Sequence, residues 1–149
     1  MITKLGKQNL EQEIKNLQKE LERTYKQRNE AAAEGDLKEN SAYIFMGERA
    51  TVLSSQISEA IDDLKQAIIQ EAPIQCDTIC FGHKVSIIFE EDQRNMILTL
   101  VGKNDARLKP DWISVKSPIG EALLNKKKGD KVLVNGQTVT IVDISIGEI

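Results

Sequence analysis

Gly35-Asp36-Leu37-Lys38-Glu39-Asn40 lies between two long segments in which apolar residues recur every three or four positions. This spacing places apolar side chains on one face of a helix and is typical of a coiled-coil seam. The first seam is made of Leu10, Ile14, Leu17 and Leu21. It weakens where Thr24 and Arg28 take the next two seam positions, and it resumes at Ala31. The second seam is made of Met46, Ala50, Leu53, Ile57, Ile61, Leu64 and Ile68. The quoted stretch therefore separates two amphipathic helices.

The two seams together predict where the chain folds back. In an antiparallel hairpin, facing residues lie at equal distances from the turn. Facing Leu10 with Leu64, or Leu17 with Ile57, centres each pair on Leu37. Two independent patterns thus place the turn in the same short stretch. Arms of about 28 residues make a hairpin roughly 40 Å long at 1.5 Å per residue.

The second half of the chain has the pattern of a small β-sheet. Runs of β-branched and apolar residues predict strands at 84–89, 96–101, 112–115, 131–134 and 138–144. Ser117-Pro118 is typical of a capped helix start, and Asn135-Gly136 is favoured in a tight hairpin turn. We therefore predict an α+β protein. Its parts are an antiparallel coiled-coil hairpin at 1–72 with an acidic tip at 35–41, a linker at 73–79, and an antiparallel β-sheet domain with one helix at 80–149.

Composition narrows the class of protein. The 149 residues are 40% hydrophobic and 29% charged, as in a globular protein, and no apolar run approaches the roughly 20 residues that span a bilayer. The N-terminus lacks the apolar stretch of a signal peptide, so we expect a cytoplasmic protein. We also expect a monomer that does not contact membranes. A net charge of −3 disfavours a free-standing nucleic-acid binder.

Two carboxylates in the turn, Asp36 and Glu39, allow two interpretations. Asp-x-x-Glu is typical of a capping box, in which Asp36 would cap the second helix and Glu39 would reach back to it. Alternatively, carboxylates three residues apart can converge on Mg²⁺, which such a pair holds weakly until a substrate or partner supplies further ligands. The two interpretations are compatible.

Cys76, Cys80 and His83 form a C-x3-C-x2-H pattern. A metal site would need a fourth ligand, for example Asp77, and the spacing matches no common zinc module. The simpler interpretation, which we favour, places Cys80 in a buried strand and Cys76 in the linker. A stable disulfide is not expected in a reducing cytosol.

Two separate stretches resemble the bacterial Gre-type transcript cleavage factors. Residues 35–43, Gly-Asp-Leu-Lys-Glu-Asn-Ser-Ala-Tyr, resemble the G-D-L-x-E-N-A-E-Y pattern of their hairpin tip. Ile113-Ser114-Val115-Lys116-Ser117-Pro118-Ile119, with Ala122-Leu123-Leu124 and Gly129-Asp130, resembles their C-terminal domain, as does Ile79-Cys80-Phe81-Gly82. The correspondence is collinear over essentially the whole chain.

The resemblance implies an FKBP-like C-terminal domain that binds RNA polymerase at the rim of its secondary channel, and a coiled coil that enters the channel. There Asp36 and Glu39 would help to hold the second Mg²⁺ and position the attacking water, as in two-metal phosphodiester hydrolysis. The factor would stimulate the polymerase's own cleavage of backtracked RNA and rescue arrested complexes. It would be no enzyme by itself and would need no cofactor when free.

Four basic residues, Arg23, Lys26, Arg28 and Arg49, are candidates for contacts with the nascent RNA 3′ end; a solvated helix face is the alternative interpretation. The chain has alanine at 32 and 42, where the family pattern commonly has charged residues. A channel-binding inhibitor of the same fold, with weak or no cleavage stimulation, is therefore the second hypothesis. A prolyl isomerase, the third, would need an aromatic-lined pocket built from Phe81, Phe89 and Trp112.

Overall fold

Two long helices precede a five-stranded sheet with one short helix, which confirms the α+β prediction. The computed structural model describes residues 1–33, 40–73 and 76–149. Its elements are α1 (Lys4–Ala33), α2 (Ser41–Gln66), β1 (His83–Phe89), β2 (Arg94–Val101), β3 (Trp112–Ser114), α3 (Pro118–Leu123), β4 (Lys131–Val134) and β5 (Gln137–Ile146). None of the helices within these ranges is long and apolar enough to cross a membrane.

The hairpin unit, Gln8–Gln66, is held together by the seams that the sequence predicts. Its buried apolar residues are Leu10, Ile14, Ala50, Leu53, Ile57 and Ala60. Thr24 is also buried, and its hydroxyl donates to the Glu20 carbonyl at 2.9 Å, so no polar group is left unsatisfied there. The seam was predicted to weaken at Thr24, but this residue is buried, so the seam continues through it.

The predicted seam is wrong at Ile68, whose side chain is 67% exposed. Helix α2 ends at Gln66, and the following residues are extended beside the N-terminus. The Ile2 amide donates to the Ile68 carbonyl and the Gln70 amide to the Ile2 carbonyl, both at 2.9 Å. This bridge replaces the last helical turn, so the helical spacing no longer determines where Ile68 points.

The division into compact units also differs from the predicted domains. Met1–Lys7 belongs with Ala67–Ile149, whereas the prediction assigned 1–72 to the hairpin. The reason is a buried carboxylate, Asp105, which accepts hydrogen bonds from the Thr3 amide at 3.1 Å and the Thr3 hydroxyl at 2.7 Å. The Thr3 hydroxyl in turn accepts from the Gly6 amide at 2.9 Å and so caps α1. The start of α1 is thereby bound to the sheet unit.

The sheet has the strand order β3-β2-β1-β5-β4. Three neighbouring pairs are antiparallel, as predicted, but β3 runs parallel to β2. Residues 102–111 carry the chain back along the sheet before β3 begins, which reverses the direction that a hairpin would impose. The sheet is therefore mixed, and its apolar face packs with α3 around buried Val85, Ile87, Leu100, Leu123, Val139 and Ile141.

The local turn signals are confirmed. The Ser117 hydroxyl accepts from the Gly120 amide at 3.1 Å, and Pro118 occupies the first turn of α3. Asn135 and Gly136 have φ values of 49° and 79°, which a tight hairpin turn of this kind requires. Both motifs depend on interactions within a few residues, so sequence alone is sufficient to find them.

Candidate functional site

The predicted Mg²⁺ ligands, Asp36 and Glu39, lie outside the described residues, which stop at Ala33 and resume at Asn40. Their role therefore stays a prediction. The structure does describe both helix ends that carry this stretch, and these ends form the base of the candidate site.

Asn40 connects the two helix ends. Its Oδ1 accepts from the Tyr43 amide at 3.1 Å, and its Nδ2 donates to the Ala31 carbonyl at 2.6 Å. The first bond caps the start of α2, and the second joins Asn40 to a carbonyl in the last turn of α1. One amide side chain thus holds the helix ends together on both sides of residues 34–39.

This contact corrects the capping prediction. Helix α2 begins at Ser41, and Asn40 supplies the oxygen that caps it. The Asp36–Glu39 capping box predicted for this helix is therefore wrong, since its cap would have to lie four residues earlier. The alternative interpretation of the two acids, as ligands of Mg²⁺, does not depend on the cap.

We expect the two hydrogen bonds of Asn40 to be separable by mutation. Asn40→Asp keeps an oxygen for the Tyr43 amide but replaces the side-chain NH₂ that donates to the Ala31 carbonyl with a carboxylate oxygen, whereas Asn40→Ala removes both hydrogen bonds. Loss of the cap should cost about 1 kcal/mol of helix stability. Amide hydrogen exchange should therefore accelerate at Tyr43 in Asn40→Ala and much less in Asn40→Asp.

Ser41→Ala is the matched control, because Ser41 is exposed and lies next to the cap. Its amide exchange should resemble that of the parent protein. Unchanged protection of the Tyr43 amide in Asn40→Ala would contradict the assigned cap.

Arg28 packs beneath the same helix ends. Its guanidinium carbon lies 4.3 Å from the centre of the Tyr43 ring, a cation–π contact. A Cβ at Gly47 would lie 3.3 Å from two guanidinium nitrogens, so the absence of a side chain there gives Arg28 room. The Arg28 Nε is buried and has no hydrogen-bond partner within the described ranges. Arg28 is therefore a packing residue of the hairpin, and its guanidinium is less available to RNA than the sequence suggests.

The other three RNA-contact candidates lie on two surfaces of the hairpin unit. Arg23 and Arg49 line one groove together with Asn16, Lys19, Glu20, Thr24 and Gln27. Arg49 also forms an ion pair with Glu20 of the facing helix. Lys26 borders a different surface, beside Tyr25 and Glu30. Contact between these residues and RNA stays a prediction; Arg23 and Arg49 line the same groove.

The Cys76–His83 segment does not bring together the ligands that the less favoured interpretation, a metal site, would need. No group of three His, Cys, Asp or Glu side chains in the described part of the chain could hold a metal ion. Cys80 is only half-buried and precedes β1, so its predicted place in a strand is wrong. Its backbone amide instead donates to Nδ1 of His83 at 3.0 Å, in a turn that leads into the strand.

The aromatic residues do not form the open pocket that a prolyl isomerase would need. Phe81 and Trp112 are each 4% exposed, and Phe89 is 6% exposed. Phe81 and Trp112 pack with Val101 in one apolar cluster, whereas Phe89 belongs to the main core. These rings stabilise the sheet unit, so the third hypothesis loses its structural basis.

Sequence reasoning missed Asn40, Tyr43 and Gly47 as determinants of the site. Asn40 carries a signal that could have found it, because asparagine is among the preferred N-cap residues. The contact of Arg28 with Tyr43 and Gly47 has no local signal, since the partners belong to different helices.

Comparison with known proteins connects this arrangement to one family. Residues 1–69 match the family model described as "Transcription elongation factor, N-terminal", and residues 74–146 match "Transcription elongation factor, GreA/GreB, C-term". The chain is 37% identical over 132 residues to transcription elongation factor GreA of Acidiphilium cryptum, and 38% identical over 132 residues to that of Rhodospirillum rubrum. Each alignment covers 87% of this chain and 83% of the relative.

Among solved structures, the crystal structure of GreA factor homolog 1 of Thermus thermophilus is similar to this chain. It is 23% identical and has a TM-score of 0.45, with 97% of each chain covered.

Proposed function

This chain belongs to the GreA/GreB family of transcription elongation factors, and from that premise we propose how it acts. It binds RNA polymerase, inserts its hairpin into the secondary channel and stimulates cleavage of backtracked RNA by the polymerase's own active site. It has no hydrolytic activity by itself, and it acts as a monomer in the cytoplasm, where the polymerase is.

The observation that carries the proposal is the connection made by Asn40. Asn40 caps α2 and bonds the last turn of α1, so the described helix ends on either side of residues 34–39 are joined. We propose that Asp36 and Glu39, which lie between these ends, bind a metal ion supplied by a partner. The two hydrogen bonds of Asn40 also limit how far the helix ends on either side of residues 34–39 can separate.

The proposed chemistry needs only positioning and charge. In two-metal hydrolysis, one ion activates the attacking water and the second stabilises the leaving oxygen. The polymerase would hold one Mg²⁺ tightly, and Asp36 with Glu39 would complete the coordination of the other. Because Mg²⁺ keeps several waters and binds weakly to two carboxylates, the site should form only in the complex.

The hairpin unit supports this proposal in its dimensions and surface. Helix α1 has 30 residues and α2 has 26, so either helix is about 40 Å long at 1.5 Å per residue. Near the start of α2, Ile44 and Phe45 are 47% and 59% exposed. Such exposed apolar side chains could contact the protein surface that lines the channel. The groove lined by Arg23 and Arg49 could contact the phosphate backbone of RNA.

The test adds the purified protein to backtracked elongation complexes with a labelled RNA 3′ end. We expect release of a short 3′ fragment and resumed elongation from the shortened transcript. Slower elongation without a released fragment would instead support the second hypothesis, a channel-binding inhibitor. The uncharged Ala32 and Ala42 beside the tip are the observation that favours this hypothesis. Fragment release by the protein with no polymerase present would contradict the proposal that it is not an enzyme.

A further inference from the structure

Arg28 lies in the last turns of α1 and contacts the start of the facing helix. We propose that Arg28 is a positioning residue for stimulated cleavage. Its contact with Tyr43 fixes how the end of α1 is rotated against the start of α2, and this rotation controls how the proposed Mg²⁺ ligands between the helix ends meet the ion. The inference rests on the proposed function and deepens it. It assigns Arg28 no contact with RNA or with the metal.

Two contacts join the helix ends on either side of residues 34–39. The first is the hydrogen bond of 2.6 Å from Nδ2 of Asn40 to the Ala31 carbonyl. The second is the cation–π contact, in which the Arg28 guanidinium carbon lies 4.3 Å from the centre of the Tyr43 ring. Arg28 lies three residues before Ala31, and Tyr43 lies three residues after Asn40. Both contacts are therefore centred on the same point of the chain.

Two contacts restrict the helix ends in a way that one contact does not. A single hydrogen bond limits how far the ends separate, but each helix can still turn about it. Residues three apart lie on the same side of a helix, and they are separated by about 4.5 Å along its axis at 1.5 Å per residue. A second contact at that distance opposes the turning motion. Arg28 supplies this second contact.

The guanidinium of Arg28 occupies a space that the facing helix leaves for it. A Cβ at Gly47 would lie 3.3 Å from both Nε and Nη2 of Arg28. Gly47 is four residues after Tyr43 in α2, so the ring and the bare glycine backbone lie on the same side of that helix. Glycine inside a helix is less favourable than alanine. Here the missing side chain is what lets the guanidinium pack against the helix.

The coordination of Mg²⁺ by carboxylates depends on their orientation. Mg²⁺ demands near-octahedral geometry and keeps several waters, so two carboxylates at a wrong angle bind it more weakly. Groups that orient metal ligands without touching the metal typically affect metal affinity or activity by about 10–100-fold. Loss of the Arg28 contact should therefore raise the Mg²⁺ concentration that cleavage requires. Polymerase binding and the cleavage rate at saturating Mg²⁺ should change little.

The experiment measures 3′ fragment release from backtracked complexes over a range of Mg²⁺ concentrations, with the factor at saturation. We expect Arg28→Gln and Tyr43→Leu each to need about tenfold more Mg²⁺ than the parent for half-maximal cleavage. Tyr43→Phe keeps the ring that Arg28 contacts and should behave like the parent. Lys15→Gln is the matched control, because it removes the same charge from an exposed position of α1.

Gly47→Leu separates positioning from stability. Leucine favours a helix over glycine, so α2 should not lose intrinsic helical stability. The new side chain begins where the guanidinium now lies, so Arg28 must move away. We expect the Mg²⁺ requirement to rise about tenfold while the Tm stays the same or increases. If Arg28 only stabilised the hairpin, this variant would cleave at least as well as the parent.

The double variant Arg28→Gln/Tyr43→Leu tests whether the two residues act through one contact. It should need no more Mg²⁺ than either single variant, because each substitution removes the same contact. A requirement raised about a hundredfold, the product of two independent effects, would contradict this coupling.

NMR of the free protein gives a readout that needs neither metal nor polymerase. In the parent, the Tyr43 ring current should shift the side-chain proton signals of Arg28 upfield, because the guanidinium lies over the ring. Gly47→Leu should remove this shift. Arg28→Gln should also speed solvent exchange of the Asn40 side-chain amide protons, since their bond to Ala31 then lacks the neighbouring contact. Lys15→Gln should change neither signal.

Parental Mg²⁺ dependence in both Arg28→Gln and Tyr43→Leu would overturn the inference. The proposed function would survive that result, since the parent protein still releases the fragment. Loss of polymerase binding in these variants would also overturn the inference, because it would assign Arg28 to docking. If the parent itself releases no fragment, the proposed function fails and the positioning role fails with it, whatever contact the NMR signals show.

Discussion

Asp36→Asn and Glu39→Gln are each expected to lower stimulated RNA cleavage by about 100-fold or more while polymerase binding changes little. Each substitution keeps the size of the side chain and removes one negative charge from a proposed Mg²⁺ ligand. Loss of an outer-shell partner of a metal typically costs 10–100-fold, and a direct ligand should reach at least the upper end of that range. The measurement is the rate of 3′ fragment release from a backtracked complex.

Glu30→Gln is the matched control. Glu30 is an exposed acid in the last turns of α1, so the substitution makes the same charge change outside the proposed metal site. Its cleavage rate should stay within about twofold of the parent, as for surface substitutions away from functional features. Polymerase affinity, measured by competition, should be similar for all three variants.

The dependence on Mg²⁺ separates a metal role from a general loss of docking. If the carboxylates hold a weakly bound ion, a higher Mg²⁺ concentration should partly restore cleavage by Glu39→Gln. Full cleavage by both tip variants at low Mg²⁺ would reject the assignment of the acids. Loss of polymerase binding in both would assign them to docking instead.

Gly6→Ala is expected to destabilise the sheet unit by about 3 kcal/mol, although alanine normally favours a helix by 0.5–1 kcal/mol over glycine. The added Cβ would overlap Oδ1 of Asp105 and lie 2.9 Å from Cγ1 of Ile2. Asp105 is fully buried and also accepts a hydrogen bond from the Gly102 amide at 3.1 Å. Moving this carboxylate breaks several buried hydrogen bonds at once.

Thermal or urea unfolding measures this effect, and for a chain of this length about 3 kcal/mol corresponds to a Tm lower by roughly 6–12 °C. The decisive control is a double-mutant cycle with Asp105→Ala. That substitution alone should also destabilise, because it leaves the Thr3 and Gly102 amides without an acceptor.

In the Asp105→Ala background the overlap with the carboxylate is gone and only the close approach to Cγ1 of Ile2 remains, so Gly6→Ala should cost much less than in the parent. Additive losses in the double variant would contradict the predicted overlap. The cycle thus distinguishes a specific contact from a general intolerance of alanine at the start of α1.

The sequence alone determined the features that depend on spacing or on near neighbours. The three-and-four repeat of apolar residues predicts both helices, because burial of one face is what pairs them in water. The same holds for the strands, the Ser117 cap of α3 and the Asn135-Gly136 turn, whose hydrogen bonds and backbone angles are local. The paired seams also predict a fold-back at residues 35–40, most of which lie outside the described residues.

The tertiary structure decided what depends on residues distant in the chain. Asp105 lies 102 positions from Thr3, so only the folded chain places the start of α1 with the sheet. Residues 102–111 make β3 parallel, and no periodicity in that loop indicates its path. Arg28 packs on Tyr43 across the hairpin, and Asn40 bonds the Ala31 carbonyl in the other helix; the spacing of apolar residues does not indicate either contact, because both involve polar groups. The physical reason is the same each time: local preferences act over a few residues, whereas burial of a polar group requires a partner wherever the fold supplies one.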